Sequence, residues 1–510
     1  MIGFARRVRN GEPVFDRAFP SARRSAPSLS WRGGDWHGGG LMARMPSLDM
    51  AFGSTRQVSG GFWPMSSGMG LPVEGVPVGR MTSTGEAVCC DPVSWYQSDI
   101  IPQPSMFLLG QPAIGKSTFV RRLVWGLCAF GINPVIPADL KGEYVQLVRL
   151  LGGQVIRMGP GFGSLNILDP GDVHQVLQQL TGQARNDLLK DYQARRADTL
   201  EVILSIARGR SHPLSDIETN LIAVALEDLH ERTRDDSQPP TIVQLRDLVK
   251  AAPESLRSTA NFEDPDDTDA YRRITRSLLG SLNGLANPRG RFKDMFSAQT
   301  TDSVDLSRPV AFDISSIDQA GDDMVAATLT ASWSAAFAAK NAADLLAESG
   351  LQPARSHVII MDEMHRALRS SPLMVEKLDL LTRLNRQWGF GQVMITHTFA
   401  DLMCLDTPAA NMKARGFVER SAIKVLGALD RHEVDQFLRG ESGMSVSRRE
   451  EDLLDDWNTP LGYGTKASWK GRGKFLIKTG NLPGLPIELQ LCALERGGFN
   501  DTDRGWHKRV

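Results

Sequence analysis

The chain has 510 residues, 41% hydrophobic and 23% charged, with a formal net charge of −1. This is ordinary globular composition with room for two or three domains, and the charge balance excludes a constitutive nucleic-acid coat, which needs a broad basic field. The five cysteines (Cys89, Cys90, Cys128, Cys404 and Cys492) form neither a CxxC pair nor a zinc spacing and fit a reducing cytoplasm, and no run of eighteen apolar residues offers a membrane span.

Residues 1–60 are rich in Arg, Gly, Ser and Pro with little periodicity, which reads as a disordered basic tail. Its arginines precede no apolar stretch, so no secretory leader is expected. An N-terminal extension follows over 61–104, opening with the aromatic GFWPM (61–65), read as a small core contact. Within it, VPVGRMTSTGEAVCCDPV (76–93) has two short apolar runs around a Ser-Thr-Gly turn, the pattern of a β-hairpin, with Cys89 and Cys90 on a strand.

Strands and helices then alternate. MFLLG (106–110), NPVIPAD (133–139) and GQVIRMG (153–159) are the expected strands of a first core part, 105–171. Residues 172–305 read as an all-helical insertion. LSDIETNLIAVALEDL (214–229) opens with Ser215 and carries Glu218 three residues later, a capping box. PPTIVQLRDLVKAA (239–252) begins with prolines and a threonine, and DAYRRITRSLLGSLNGL (269–285) is amphipathic. Arg195, Arg196, Arg208 and Arg210 read as a solvated helix face, with substrate contact as the alternative. A second core part, 306–495, resumes strands at RPVAFDI (308–314), HVIIMDE (357–363), GQVMITH (391–397), SAIKVLG (421–427) and KFLIKTG (474–480). There MVAATLTASWSAAFAA (324–339) reads as a packed helix, and 496–510 as a tail. Short apolar strands between helices predict an α/β fold with a mainly parallel sheet covered on both faces.

One loop carries specific chemistry. GQPAIGKST (110–118) fits G-x-x-x-x-G-K-[ST], between a strand and a helix expected to start near Thr118. Gly110, Gln111, Pro112, Ala113, Ile114, Gly115, Lys116, Ser117 and Thr118 form the candidate nucleotide cradle. The glycines let backbone N–H groups face phosphate oxygens, Lys116 reaches the β- and γ-phosphates of ATP, and the Ser117 hydroxyl binds Mg²⁺. The second half is VIIMDE (358–363): Asp362, at a strand end, is the second candidate Mg²⁺ ligand, and Glu363 is placed to orient or deprotonate the attacking water. His397, ending the next apolar strand, is the candidate γ-phosphate sensor. Asp139, Lys141 and Glu143 in ADLKGEY lie at a strand's carboxyl end, where they either bind ligand or cap the next helix. The stretch between Lys116 and Asp362 far exceeds one βαβ unit of about thirty residues, and the helical block accounts for it.

GQPAIGKSTFVRRL, ADLKGEY, LGGQVIRMGPGFGSLNILDPGD, the helical insertion, VIIMDE and GRGKFLIKTGNLPGLPIEL occur in this order. The combination resembles the motor domain of TraC-like conjugative-transfer (type IV secretion) ATPases of the FtsK/HerA superfamily, over roughly residues 70–505. The resemblance implies a RecA-like P-loop core and a cytoplasmic ATPase that uses ATP and Mg²⁺ and works as a ring, commonly a hexamer. It implies membrane-embedded secretion or conjugation components as partners. It also implies an arginine inserted into the neighbouring subunit's site, for which Arg386, Arg420 and Arg472 are candidates. Two departures stand out: the large domain that usually precedes the motor is replaced by about a hundred residues, and His397 stands where Gln is usual, so control of hydrolysis is expected to differ. The competing expectations are a DNA translocase of the FtsK or coupling type and a nucleotide-gated docking module with little turnover.

Overall fold

The strands follow the apolar runs: β1 (Pro77–Met81), β2 (Ala87–Cys89), β3 (Ser105–Leu109), β4 (Asn133–Asp139), β5 (Gln154–Arg157), β6 (Val310–Asp313), β7 (His357–Met361), β8 (Phe390–Thr396), β9 (Ile423–Leu426), β10 (Lys474–Thr479) and β11 (Leu485–Leu489). The computed structural model describes residues 73–169, 176–177, 179–209, 212–233, 238–260, 264, 266–290, 292, 294–317, 320–370, 375, 379, 389–398, 407–434, 446–460 and 470–498. The expected tail 1–60, GFWPM, Arg210, Arg386, Cys404 and residues 499–510 lie outside them.

The described strands form one sheet in the order β2-β1-β11-β10-β9-β3-β8-β7-β4-β6-β5. Every pairing from β9 across to β5 is parallel. β10, β11, β1 and β2 extend it antiparallel. In β3, β4, β7 and β8 every residue is buried. Successive side chains point to opposite faces, so full burial means both faces are covered. This is the expected α/β fold. The expected hairpin is β1–β2, closed by Met81 and Glu86, whose N–H and carbonyl bond at 2.8 Å. It joins the sheet through β11, a strand the sequence reading did not anticipate.

Between β5 and β6 stand the helices Gly182–Arg208, Asp216–Arg232, Ile242–Ala251, Glu254–Ala260 and Thr268–Ala286. Ser215 and Glu218 make the reciprocal bonds of a capping box, as Thr241 and Gln244 do for the next helix. The expected packed helix is longer than its apolar stretch, spanning Asp322–Glu348. Its small residues allow close approach to Gly182–Arg208, where Thr199 and Ser334 hydroxyls meet at 2.7 Å and Asn341 donates to Asp191 at 2.7 Å. Among the described residues no helix is long and apolar enough to cross a membrane.

The arginines of the insertion differ from expectation. Arg208 makes a bidentate ion pair with Glu218, both side chains buried. Arg196 is buried over the Tyr192 ring, and Arg195 pairs with Asp191 one turn earlier. Arg208 is thus taken up by an acid on the next helix and Arg196 is buried against an aromatic of its own helix, so these two are not solvated, whereas Arg195, half-buried, pairs only within its own helix.

Candidate nucleotide site

β3 delivers the chain to the loop 110–115 at the carboxyl end of the parallel sheet, where open α/β folds bind ligands. Both flanks of the loop are tied down. Gln111 N–H donates to the Ala428 carbonyl at 3.1 Å, and Gly473 N–H donates to the Ile114 carbonyl at 2.8 Å. A Cβ on Gly110 would fall 2.4 Å from the terminal methyl of Ile114 and 3.1 Å from the Gly427 backbone, so a side chain there would force its neighbours to shift. Ala113 and Gly115 take left-handed φ of 66° and 104°, which turns the loop into the helix Lys116–Ala129. That helix begins at Lys116, two residues before the expected start, and no side chain caps it. Its first N–H groups are therefore open to an anion, and the helix dipole favours one there.

Lys116 is buried and folds back over this opening. Its ammonium donates to the Gly110 carbonyl, to the Gln111 carbonyl at 3.0 Å and to His397 Nδ1 at 2.8 Å. Burial lowers its pKa to about 8, against the opposing pull of Glu363 and Asp362. A buried ammonium held only by neutral acceptors beside an uncapped helix is a fitting receiver for phosphate.

Asp362 and Glu363 follow β7 directly. Asp362 accepts from the Tyr144 hydroxyl at 2.9 Å and from the Glu363 N–H at 2.9 Å. Burial, then the Glu363 charge, raises its pKa. Glu363 has a left-handed φ of 50°, strain of the kind kept at functional positions. Its Oε1 accepts from Lys141 and from His397 Nε2 at 2.8 Å. Burial alone would raise the Glu363 pKa, but the hydrogen bonds from His397 and Lys141 outweigh it and hold the carboxyl well below its usual range. Two adjacent acids are thus pushed in opposite directions.

His397, just past β8, uses both ring nitrogens. Its partners assign the tautomer: Nδ1 accepts from the Lys116 ammonium and Nε2–H donates to Glu363. The expected sensor therefore bridges the loop lysine and the second acid. His365 stands on the other side of Glu363, its Nδ1 3.5 Å from Oε2.

The segment after β4 resolves its two alternatives residue by residue. Asp139 neither caps the helix Val145–Leu150 nor faces open solvent, but ties the turn before that helix, accepting from the N–H groups of Glu143 (2.9 Å) and Tyr144 (2.7 Å). Burial raises its pKa to about 7 against those bonds. Glu143 pairs with Arg121 of the loop helix at 2.8 Å. Lys141 reaches Glu363. The roles of Tyr144, Arg121 and His365 were missed, although ADLKGEY had drawn attention to Lys141 and Glu143.

Ser117 and Thr118 are half-buried in the first helical turn, Gln111 is half-buried, and Pro112 and Ala113 are exposed. Among the described residues no group of three or more His, Cys, Asp and Glu side chains could hold a metal alone. A Mg²⁺ ion there would need Ser117, Asp362 and oxygens of a bound phosphate, which is the donor set that fits this hard cation. The arginines are dispersed. Arg420 ends the helix Pro408–Arg420, its carbonyl accepts from Ser105 at the start of β3, and its guanidinium pairs with Asp379 at 2.5 Å. It sits at the end of the sheet away from the loop, about 16 Å along β3. Arg472 is exposed on the turn whose Gly473 bonds to Ile114, beside its own chain's loop.

Residues 103–332 match the protein family described as "Helicase HerA, central domain". No curated protein sequence matches the chain. Among solved structures, VirB4 of Thermoanaerobacter pseudethanolicus is similar at 19% identity and a TM-score of 0.57, over 84% of this chain and all (100%) of that one. The plasmid coupling protein TrwB in complex with ADP and Mg²⁺ is similar at 13% identity and a TM-score of 0.45, over 83% of this chain and 96% of that one. The resemblance to the FtsK/HerA superfamily expected from the motifs is borne out by the HerA match, and the RecA-like fold by the likeness to VirB4.

Proposed function

We propose that the protein is a P-loop motor ATPase that couples ATP hydrolysis to assembly of, or transport through, a conjugative type IV secretion-like system. The observation that carries the reading is the continuous cluster Lys116–His397–Glu363–Lys141, set beside buried Asp362 under an uncapped helix. When bound, Mg²⁺·ATP supplies the phosphoryl group and the charge that neutralises its oxygens. The loop 110–118 binds phosphates through backbone N–H groups and Lys116, while Ser117 and Asp362 hold the metal. Glu363 is the acceptor that orients the attacking water and receives its proton. With Oε1 occupied by Lys141 and His397, the task falls to Oε2, which His365 Nδ1 flanks at 3.5 Å. His397 touches Lys116 and Glu363 together, so a change at the phosphate end is felt by the acid.

The match of residues 103–332 to the HerA central domain supports a motor of this superfamily, and the motif order that resembles conjugative-transfer ATPases supports the conjugation and secretion setting. In this reading the chain acts as a ring at the inner face of the membrane, with membrane-embedded components as partners and an arginine supplied by a neighbour. Arg420 and Arg386 are the candidates for that arginine, and Arg472 is better placed to serve its own chain. The test is the ATPase rate per subunit against protein concentration, with and without DNA, using Glu363→Gln as the blank. The expected result is a steep rise with concentration and no response to DNA. Strong stimulation by DNA would favour a translocase of the coupling type, and rates equal to the blank throughout would favour the docking module.

A further inference from the structure

The acids at 362 and 363 are reached from one short segment, Asp139–Tyr144, which follows β4 and belongs to neither motif. Its shape is set from within. Asp139, only 2% exposed, holds the N–H groups of Glu143 and Tyr144. Gly142 takes a φ of 66° and lies against Ser315, so a side chain there would be strained whatever the space. Glu143 fastens the segment to the loop helix through Arg121, itself 1% exposed. From this frame two side chains reach the acids: the Tyr144 hydroxyl donates to Asp362 Oδ2, and the Lys141 ammonium to Glu363 Oε1.

We propose that this segment is a clasp that fixes both acids against the nucleotide loop, with Lys141 the positioning residue for Glu363 and Tyr144 that for Asp362. The proposal rests on the ATPase reading for its consequence, but not for its geometry. A lysine paired with a carboxylate at the surface is worth little, because water screens both. Here the carboxylate is different. The Glu363 side chain is 9% exposed while the Lys141 side chain is 49% exposed, so the lysine reaches inward from the rim to a buried charge. Lys141 and His397 share one oxygen of that charge and so pin the carboxylate plane from two directions. Without Lys141 the side chain keeps one tether at Oε1 and gains rotation about its terminal bond. Water orientation at Oε2 is then lost, whereas the phosphate contacts of residues 110–118 are untouched. A misplacement on the order of 1 Å at such a group costs about a hundredfold in rate.

Two measurements on the full chain test this. The first needs no nucleotide: a cycle of denaturation midpoints over wild type, Lys141→Met, Glu363→Gln and the double variant. Lys141→Met is expected to lower the midpoint in the wild-type background and to leave it unchanged in the Glu363→Gln background. Equal shifts in both backgrounds would overturn the pairing. The second is steady-state ATP turnover. Lys141→Met is expected to reduce kcat by about 10- to 100-fold with KM within about threefold, and Lys141→Arg to restore most of the rate. Tyr144→Phe is expected to lower kcat and raise the Mg²⁺ concentration required. Wild-type kcat in Lys141→Met, or a loss carried by KM and not rescued by arginine, would overturn the positioning role. If wild type turns over no faster than Glu363→Gln, the ATPase reading fails, while the midpoint cycle still decides whether the clasp exists.

Discussion

Two side chains in the site stand where glycine would be at ease. Ala113 and Glu363 both have left-handed φ, which for an L-residue costs about 1–2 kcal/mol. For Glu363 the strain is inseparable from its carboxylate, since glycine, which would relieve it, carries no acid. For Ala113 it is separable, because the exposed methyl makes no contribution to the cradle. Ala113→Gly is therefore expected to stabilise the protein. The relief is partly offset by the extra freedom glycine gives the unfolded chain, leaving a gain of roughly 0.5–1 kcal/mol. A urea midpoint that rises with unchanged slope would show it, and a midpoint that falls would mean that the loop is relaxed with alanine in place. At this scale the loop and the two acids were legible in the sequence because their chemistry dictates local spacing. Lys141 on Glu363 and Tyr144 on Asp362 were not, since the partners lie 222 and 218 positions apart and no local pattern links them.

At the scale of elements, capping signals and apolar runs predicted the helix starts at Ser215 and Thr241 and the parallel strands. They failed where a residue type argued against its surroundings. β11 carries Pro486 and follows Gly484, residue types that argue against a strand, yet it pairs on both sides with β1 and β10. The insertion arginines failed similarly: periodicity gives a face, but whether the face is wet depends on what packs there. Arg208 decides the matter for three helices at once. It closes a bidentate pair with Glu218, which also accepts from Ser215, and it donates to Ser281 at 2.7 Å. Arg208→Ala removes the cation and leaves a buried carboxylate with only hydroxyl and amide donors. Breaking one side of such a pair costs about 3–5 kcal/mol. The expected loss is of that size in a denaturation experiment and local to the insertion, so nucleotide affinity at 25 °C is expected to stay at wild-type level. A loss below 1 kcal/mol would return Arg208 to the solvent-facing role read from its sequence.

Across the whole molecule, two buried groups on β4 and β7 pull the pH dependence of stability in opposite directions. His357, at the start of β7, donates from Nε2 to the Leu306 carbonyl at 3.0 Å, where Asn133 also donates. These bonds hold the returning end of the insertion to two strands. Burial lowers the His357 pKa to about 4. Between pH 4 and 6.5 the unfolded chain thus binds a proton that the folded chain refuses, so this group makes stability rise with pH and fall on acidification, by about 3 kcal/mol in all. Asp139, raised to about 7 by burial, does the reverse: between pH 4 and 7 the folded chain holds the extra proton, and stability falls as pH rises. Over the shared window the two slopes largely cancel. His357→Gln keeps a donor for Leu306 but removes the titration, so its stability relative to wild type is expected to improve by about 3 kcal/mol between pH 7 and pH 4. Alone, the variant should show the slope of Asp139, becoming more stable as pH falls toward 4.5. A difference between the two proteins that is constant with pH would mean that His357 accepts a proton in the folded state, and that the joint between insertion and sheet is open to water.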